Sequence, residues 1–169
     1  VYKRQIYHSV DDSVLQVGVG HLEGSSLPVG GSSTHCVISG HRGLPSARLF
    51  TDIDRLEKGD LFYLHVYGKV LAYEVDKISV VEPEDYGPLE IEEGKDLATL
   101  ITCTPYGINT HRLILTGKRV PYSEKKKDAI EPEMMSWREL LFTALPFLIV
   151  FMLIVRFILN KRKERKLKS

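Results

Sequence analysis

Apolar and polar positions alternate through much of the first 120 residues. Gln5 to His8, Cys36 to Ser39, Leu61 to Tyr67, Val70 to Val81, Leu97 to Cys103 and Arg112 to Thr116 are rich in β-branched and aromatic residues and bounded by turn formers. That is the pattern of strands. Tyr67-Gly68-Lys69, between the third and fourth, predicts a tight hairpin. Leu49, Ile53 and Leu56 follow helical spacing, with Gly59 as a stop, and predict one helix there. The glycine-rich residues 14–31 read as irregular, with room for one short helix. No period of 20 to 50 residues repeats. So few helices cannot cover an open sheet, and a mainly β fold, a closed or nearly closed barrel, is expected.

The pattern changes near the C-terminus. Residues 140–155, LLFTALPFLIVFMLIV, carry no charge, and the run reaches Leu159 with Arg156 as its one charged residue. Leu140 to Leu159 gives 20 residues, the length that crosses a hydrocarbon core of roughly 30 Å. Arg156 lies close enough to the end to snorkel to the headgroups. Pro146 is tolerated in such a helix, and Trp137 suits the interface. A transmembrane helix over 139–160 is therefore expected. Residues 121–138 read as a polar linker and 161–169 as a basic tail.

Charge fixes the orientation. From Arg156 onward seven Lys or Arg stand against Glu164, a local +6 within a chain of net +1. Residues 1–155 are thus acidic at −5, which argues against nucleic acid as a partner. A cationic cluster after the span places the C-terminus in the cytoplasm beside an anionic membrane surface, and residues 1–120 outside the cell. The chain opens at Val1 with no signal peptide visible and reads as lacking its native start.

Two cysteines make no disulfide framework. Cys36 lies inside an apolar run and reads as a small core residue. Cys103 ends one predicted strand and Arg112 begins the next, joined by TPYGINTH. If those strands pair antiparallel, the two side chains meet at one end of the sheet. Thr99, Ile101 and Cys103 then share a face, as do Arg112, Ile114 and Thr116. A cysteine nucleophile needs a base and an oxyanion donor. Arg112 is either that donor or an arginine in a structural salt bridge. Of six histidines, His41 stands out in SGHRG, at a strand end held by glycines. His8, His21, His65 and His111 read as surface or structural. His35, Cys36 and His41 lack the CxxC or HxxxH spacing of a zinc site. The residues alone reach a tethered extracellular β protein with a Cys–His–Arg candidate site, either a thiol acyl-transferase or a peptidase.

At these same residues the chain resembles the sortases. TLITC matches the TLxTC signature, SGHRG the histidine segment, and Arg112 follows Cys103 at family spacing. GVGHLEGSSLPVGG, SGHRGLPSARLFTDIDRLEKGD and TCTPYGINTHRLILTGKR resemble the pilus-assembling class C group. The resemblance runs from Ile6 to Tyr122. It implies an N-terminally incomplete β-barrel of about eight strands and a cysteine transpeptidase that needs no metal or organic cofactor. Cys103 would attack an LPxTG-like sorting signal to give a thioester. His41 would act as acid and then base, and Arg112 would stabilise the oxyanion. The acceptor would be a lysine amine of another pilin. Anchoring of surface proteins to cell-wall peptide is the alternative, and a binding module with an inert Cys103 is the non-enzymatic one.

Overall fold

Strand pairing follows from which segments can bury one face. The structure, a computed structural model, describes residues 3–44 and 47–124, together with 145, 146, 150–152 and 156. Among these residues seven strands form one sheet: β1 (Ile6–His8), β2 (Val19–His21), β3 (Thr34–Ser39), β4 (Leu61–Val66), β5 (Lys69–Val81), β6 (Asp96–Thr104) and β7 (His111–Val120). Their spatial order is β1-β2-β3-β6-β7-β5-β4. β1 and β2 are parallel, as are β3 and β6, and the other neighbours are antiparallel. One short helix, α1 (Asp12–Leu15), links β1 to β2.

The mainly β expectation holds, with two differences. The barrel of about eight strands is instead a curled seven-stranded sheet with two edges, because β1 pairs only with β2 and β4 only with β5. The helix expected around Leu49 to Leu56 is a single 3-10 turn at Ile53–Arg55. Leu49, Phe50 and Ile53 do bury one face of this segment. However, Gly59 N–H donates to the Val75 carbonyl and Val75 N–H to that of Asp60. The sheet thus captures the chain before a second turn can form.

β2 lies within the stretch read as irregular. Its glycines hide the strand pattern while permitting the strand itself. A Cβ at Gly20 would stand 2.1 Å from the Ser9 carbonyl oxygen, so only glycine lets these two backbones approach. The hairpin between β4 and β5 forms as expected. Tyr67 (φ 47°) and Gly68 (φ 74°) both take left-handed backbone, with Val66 paired to Lys69.

One face of the sheet packs the core, in which Ile38, Tyr73, Ala98 and Leu115 are all at most 1% exposed and join Cys36, Leu100 and Leu113. Full burial of each large side chain contributes roughly 1.5–3 kcal/mol. Gly117 on β7 leaves room for the Phe62 ring: a Cβ there would meet Phe62 Cε1 at 2.6 Å.

All seven strands precede Glu124. The expected span at 139–160 lies outside the described residues except at six positions, and the tail at 161–169 lies wholly outside them. Among the described residues no helix is long and apolar enough to cross a membrane.

Candidate active site

Three adjacent strands bring the candidate residues to one end of the sheet. β6 and β7 are antiparallel, and Cys103 is paired directly with Arg112. Ile101 pairs with Ile114 and Thr99 with Thr116, the two faces expected from period-2 spacing. This face is opposite the core, which takes Ala98, Leu100, Leu113 and Leu115. Cys103 is partly exposed.

His41 arrives from β3, the parallel neighbour of β6. Ser39 pairs with Ile101, so β3 ends alongside the β6 residues just before Cys103, and His41 follows two residues later in the loop. Two bonds hold the chain there. Gly40 N–H donates to the Ile101 carbonyl at 3.1 Å, and the Thr102 hydroxyl donates to the Gly40 carbonyl at 2.7 Å. Phe50 N–H then donates to the His41 carbonyl. Nε2 of His41 lies 3.9 Å from Oδ1 of the exposed Asp12 on α1.

Arg112 has no carboxylate partner among the described residues. Its Nη1 donates to the carbonyls of Asn109 at 3.3 Å and His111 at 3.2 Å, both in or beside its own loop. Of the two readings left open by spacing, the structural salt bridge finds no carboxylate among the described residues. A guanidinium held only by carbonyls keeps its charge available for an anion.

Cys36 is 2% exposed within the core, and burial, with Asp96 nearby, pushes its thiol up to about 12. It is unsuited to nucleophilic work, as its apolar surroundings in sequence indicated. Among the described residues no group of three or more potential ligands could hold a metal ion.

The sequence reading missed how His35 supports this face. Its ring is 1% exposed. Nδ1 donates to the Glu90 carbonyl at 2.8 Å, and Nε2 shares a hydrogen bond of 2.7 Å with the Thr99 hydroxyl. Thr99 and Thr116 join their hydroxyls at 2.8 Å. A buried polar chain thus ties the connection between β5 and β6 to the face that carries Cys103. Its one clue in sequence was a threonine paired by register with another. His111, read as surface or structural, places Nε2 3.5 Å from Glu82 Oε1 and holds the start of the same connection.

A shallow groove of about 590 Å³, lined by Gly31, Leu71, Asp96, Arg119 and Tyr122 among others, lies at the opposite end of β6 and β7. It stands seven residues along β6 from Cys103, or about 23 Å. Asp96 there accepts the Tyr73 hydroxyl at 2.9 Å and Gly31 N–H at 3.0 Å.

The chain is similar to several known proteins. The chain is 57% identical to sortase C of Streptococcus pneumoniae, whose crystal structure was described with respect to catalysis and pilin substrate specificity. That match has a TM-score of 0.69 and covers 70% of this chain and 63% of that one. Sortase A of Bacillus anthracis is 36% identical over 89 residues, 53% of this chain and 42% of the relative. Sortase D of Bacillus subtilis is 34% identical over 119 residues, 68% of this chain and 57% of the relative. The chain thus spans about half the length of the last two. The resemblance to class C sortases read from the motifs is borne out by the sortase C structures, 53–57% identical to this chain. The sortase domain model matches residues 2–120, and the chain belongs to the sortase family.

Proposed function

We propose that this protein is a cysteine transpeptidase that joins pilin subunits through LPxTG-like sorting signals. The observation that carries the proposal is the register pair Cys103–Arg112, with the His41 loop hydrogen-bonded alongside. In this reading Cys103 Sγ, as thiolate, attacks the carbonyl that precedes the glycine of the signal. Charge develops on that oxygen, and the Arg112 guanidinium stabilises it. The carbon–nitrogen bond breaks and protonated His41 gives its proton to the departing amine, leaving a thioester on Cys103. A lysine amine then attacks the thioester, His41 takes up its proton, and an isopeptide forms with the thiolate restored.

The 57% identity to a sortase C, against 36% to a sortase A, favours a pilin lysine over a wall-peptide amine as acceptor. The apolar run at 140–159, charged only at Arg156, and the cations after it support a single C-terminal span, with the catalytic domain outside and the tail against anionic lipid.

Intact mass after mixing the protein with an LPxTG-like peptide tests the chemistry. An adduct equal to the peptide's acyl portion is expected, and none with Cys103→Ala. Absence of the adduct from a folded protein with a reactive thiol would overturn the reading. Product mass with a pilin-lysine peptide and with a wall peptide then identifies the acceptor.

A further inference from the structure

The loop that bears His41 and the loop that follows Cys103 touch at residues with no part in the reaction outlined above. Tyr106, three residues after Cys103, is 59% exposed, yet its ring lies against Gly43. A Cβ at Gly43 would stand 2.8 Å from ring carbons Cε2 and Cζ of Tyr106 and 2.9 Å from its hydroxyl oxygen. Gly43 also has φ +79°, a backbone conformation that glycine tolerates best. Its N–H donates to Thr51 Oγ1 at 3.2 Å.

Arg42, next to His41, reaches the same ring. Its guanidinium carbon lies 5.7 Å from the Tyr106 ring centroid, within cation–π range. Its Nη2 is ion-paired with Asp54, and its side chain is only 12% exposed. Asp54 belongs to the 3-10 turn whose Ile53 packs into the core. Contacts therefore run from the core through Ile53, Asp54 and Arg42 to Tyr106, and so to the Cys103 loop. A guanidinium held by a carboxylate of one segment and facing an aromatic ring of another fixes the two loops relative to each other.

We propose that Arg42 and Tyr106 are positioning residues that clasp the His41 loop to the loop after Cys103 and so set the separation of imidazole and thiol. The clasp rests on the cysteine–histidine reading above, though not on the identity of the substrate. Neither residue touches the reacting atoms.

The test uses the full chain in detergent and two readouts. The first is the pH profile of Cys103 alkylation by iodoacetamide, followed by peptide mass, with Cys36 silent in the folded protein. His41→Ala is expected to displace the profile, and Tyr106→Ala and Arg42→Ala to displace it part way in the same direction, by about half a pH unit or more. Tyr106→Phe keeps the ring and is expected to follow the parent. The second readout is turnover of an LPxTG-like peptide, where the two alanine variants should lower kcat about tenfold with KM within about twofold.

Profiles of Tyr106→Ala and Arg42→Ala that superimpose on the parent, while His41→Ala moves, would overturn the clasp. So would a His41→Ala profile identical to the parent's, since no coupling would then exist to be held. If Tyr106→Ala does not fold, Tyr106→Leu and Arg42→Gln, which retain bulk, carry the same comparison. Displaced profiles without any peptide adduct would leave the clasp standing and remove the transpeptidase reading. An adduct with superimposed profiles would do the reverse.

Discussion

Cys103 and Arg112 are register partners across β6 and β7, nine residues apart in sequence and directly opposed in the sheet. The pairing sets thiol and guanidinium on the same face of adjacent strands. Replacing Arg112 by Ala should therefore lower kcat for an LPxTG-like peptide by about 10²- to 10³-fold, the range for loss of one oxyanion donor. Lys at this position keeps the charge and loses the fork, so it should recover only part of the rate. Steady-state kinetics on both variants decides; an Arg112→Ala enzyme with unchanged kcat would remove the arginine from the reaction.

The two thiols should behave as different chemical species. Cys103 is partly exposed and Cys36 is sealed in the core with its thiol pushed up to about 12. One equivalent of alkylating agent should enter the native protein, and a second only after denaturation. Mass spectrometry with and without guanidinium counts them. Rapid labelling of Cys36 in the native state would contradict the packing described for β3.

Alkaline pH should destabilise the fold. The folded-state values of Cys36 and Tyr73 both lie above their ordinary ones, chiefly through burial. A raised folded value means that the unfolded chain releases its proton first. The stabilisation is therefore complete below the ordinary thiol range and falls as pH climbs through about 9 toward 12, by about 1.4 kcal/mol per pH unit for each proton. Urea midpoints between pH 7 and 10 should decline, and Cys36→Ala should flatten the decline although it lowers the starting value.

Thr99→Val keeps volume near the core and removes the hydroxyl that joins His35 to Thr116. Two buried polar groups lose their shared partner, which should cost about 1–3 kcal/mol. Thermal or chemical denaturation measures this. A Thr99→Ser variant restores the hydroxyl and should recover most of the loss.

Much of the sheet was legible in the sequence because its strands alternate. Leu97 to Cys103 and Arg112 to Thr116 declared both their existence and their faces, and with them the Cys103–Arg112 pairing. Tyr67-Gly68 declared the hairpin because a two-residue turn needs left-handed backbone. β2 was hidden by the same property that makes it possible: Gly18 and Gly20 carry no side chain to show alternation, yet close approach to β1 demands their absence. The helix expected at Leu49 to Leu56 failed for a different reason. Burial of one face every three or four residues is as compatible with an irregular segment lying on a core as with a helix. Of the His35–Thr99–Thr116 chain only the paired threonines were legible; the place of His35 depends on a parallel pairing between segments some sixty residues apart.

That parallel pairing also has a kinetic meaning. Between β3 and β6 the chain holds the whole β4–β5 hairpin and the connection after it. Contacts of this sequence separation close late, after local ones have formed. Histidine and cysteine are thus separated in folding time as well as in sequence. A protein caught with its hairpin formed but β6 undocked would hold a good part of its secondary structure and none of its chemistry. Pairing of β3 with β6 is therefore expected among the later steps of assembly.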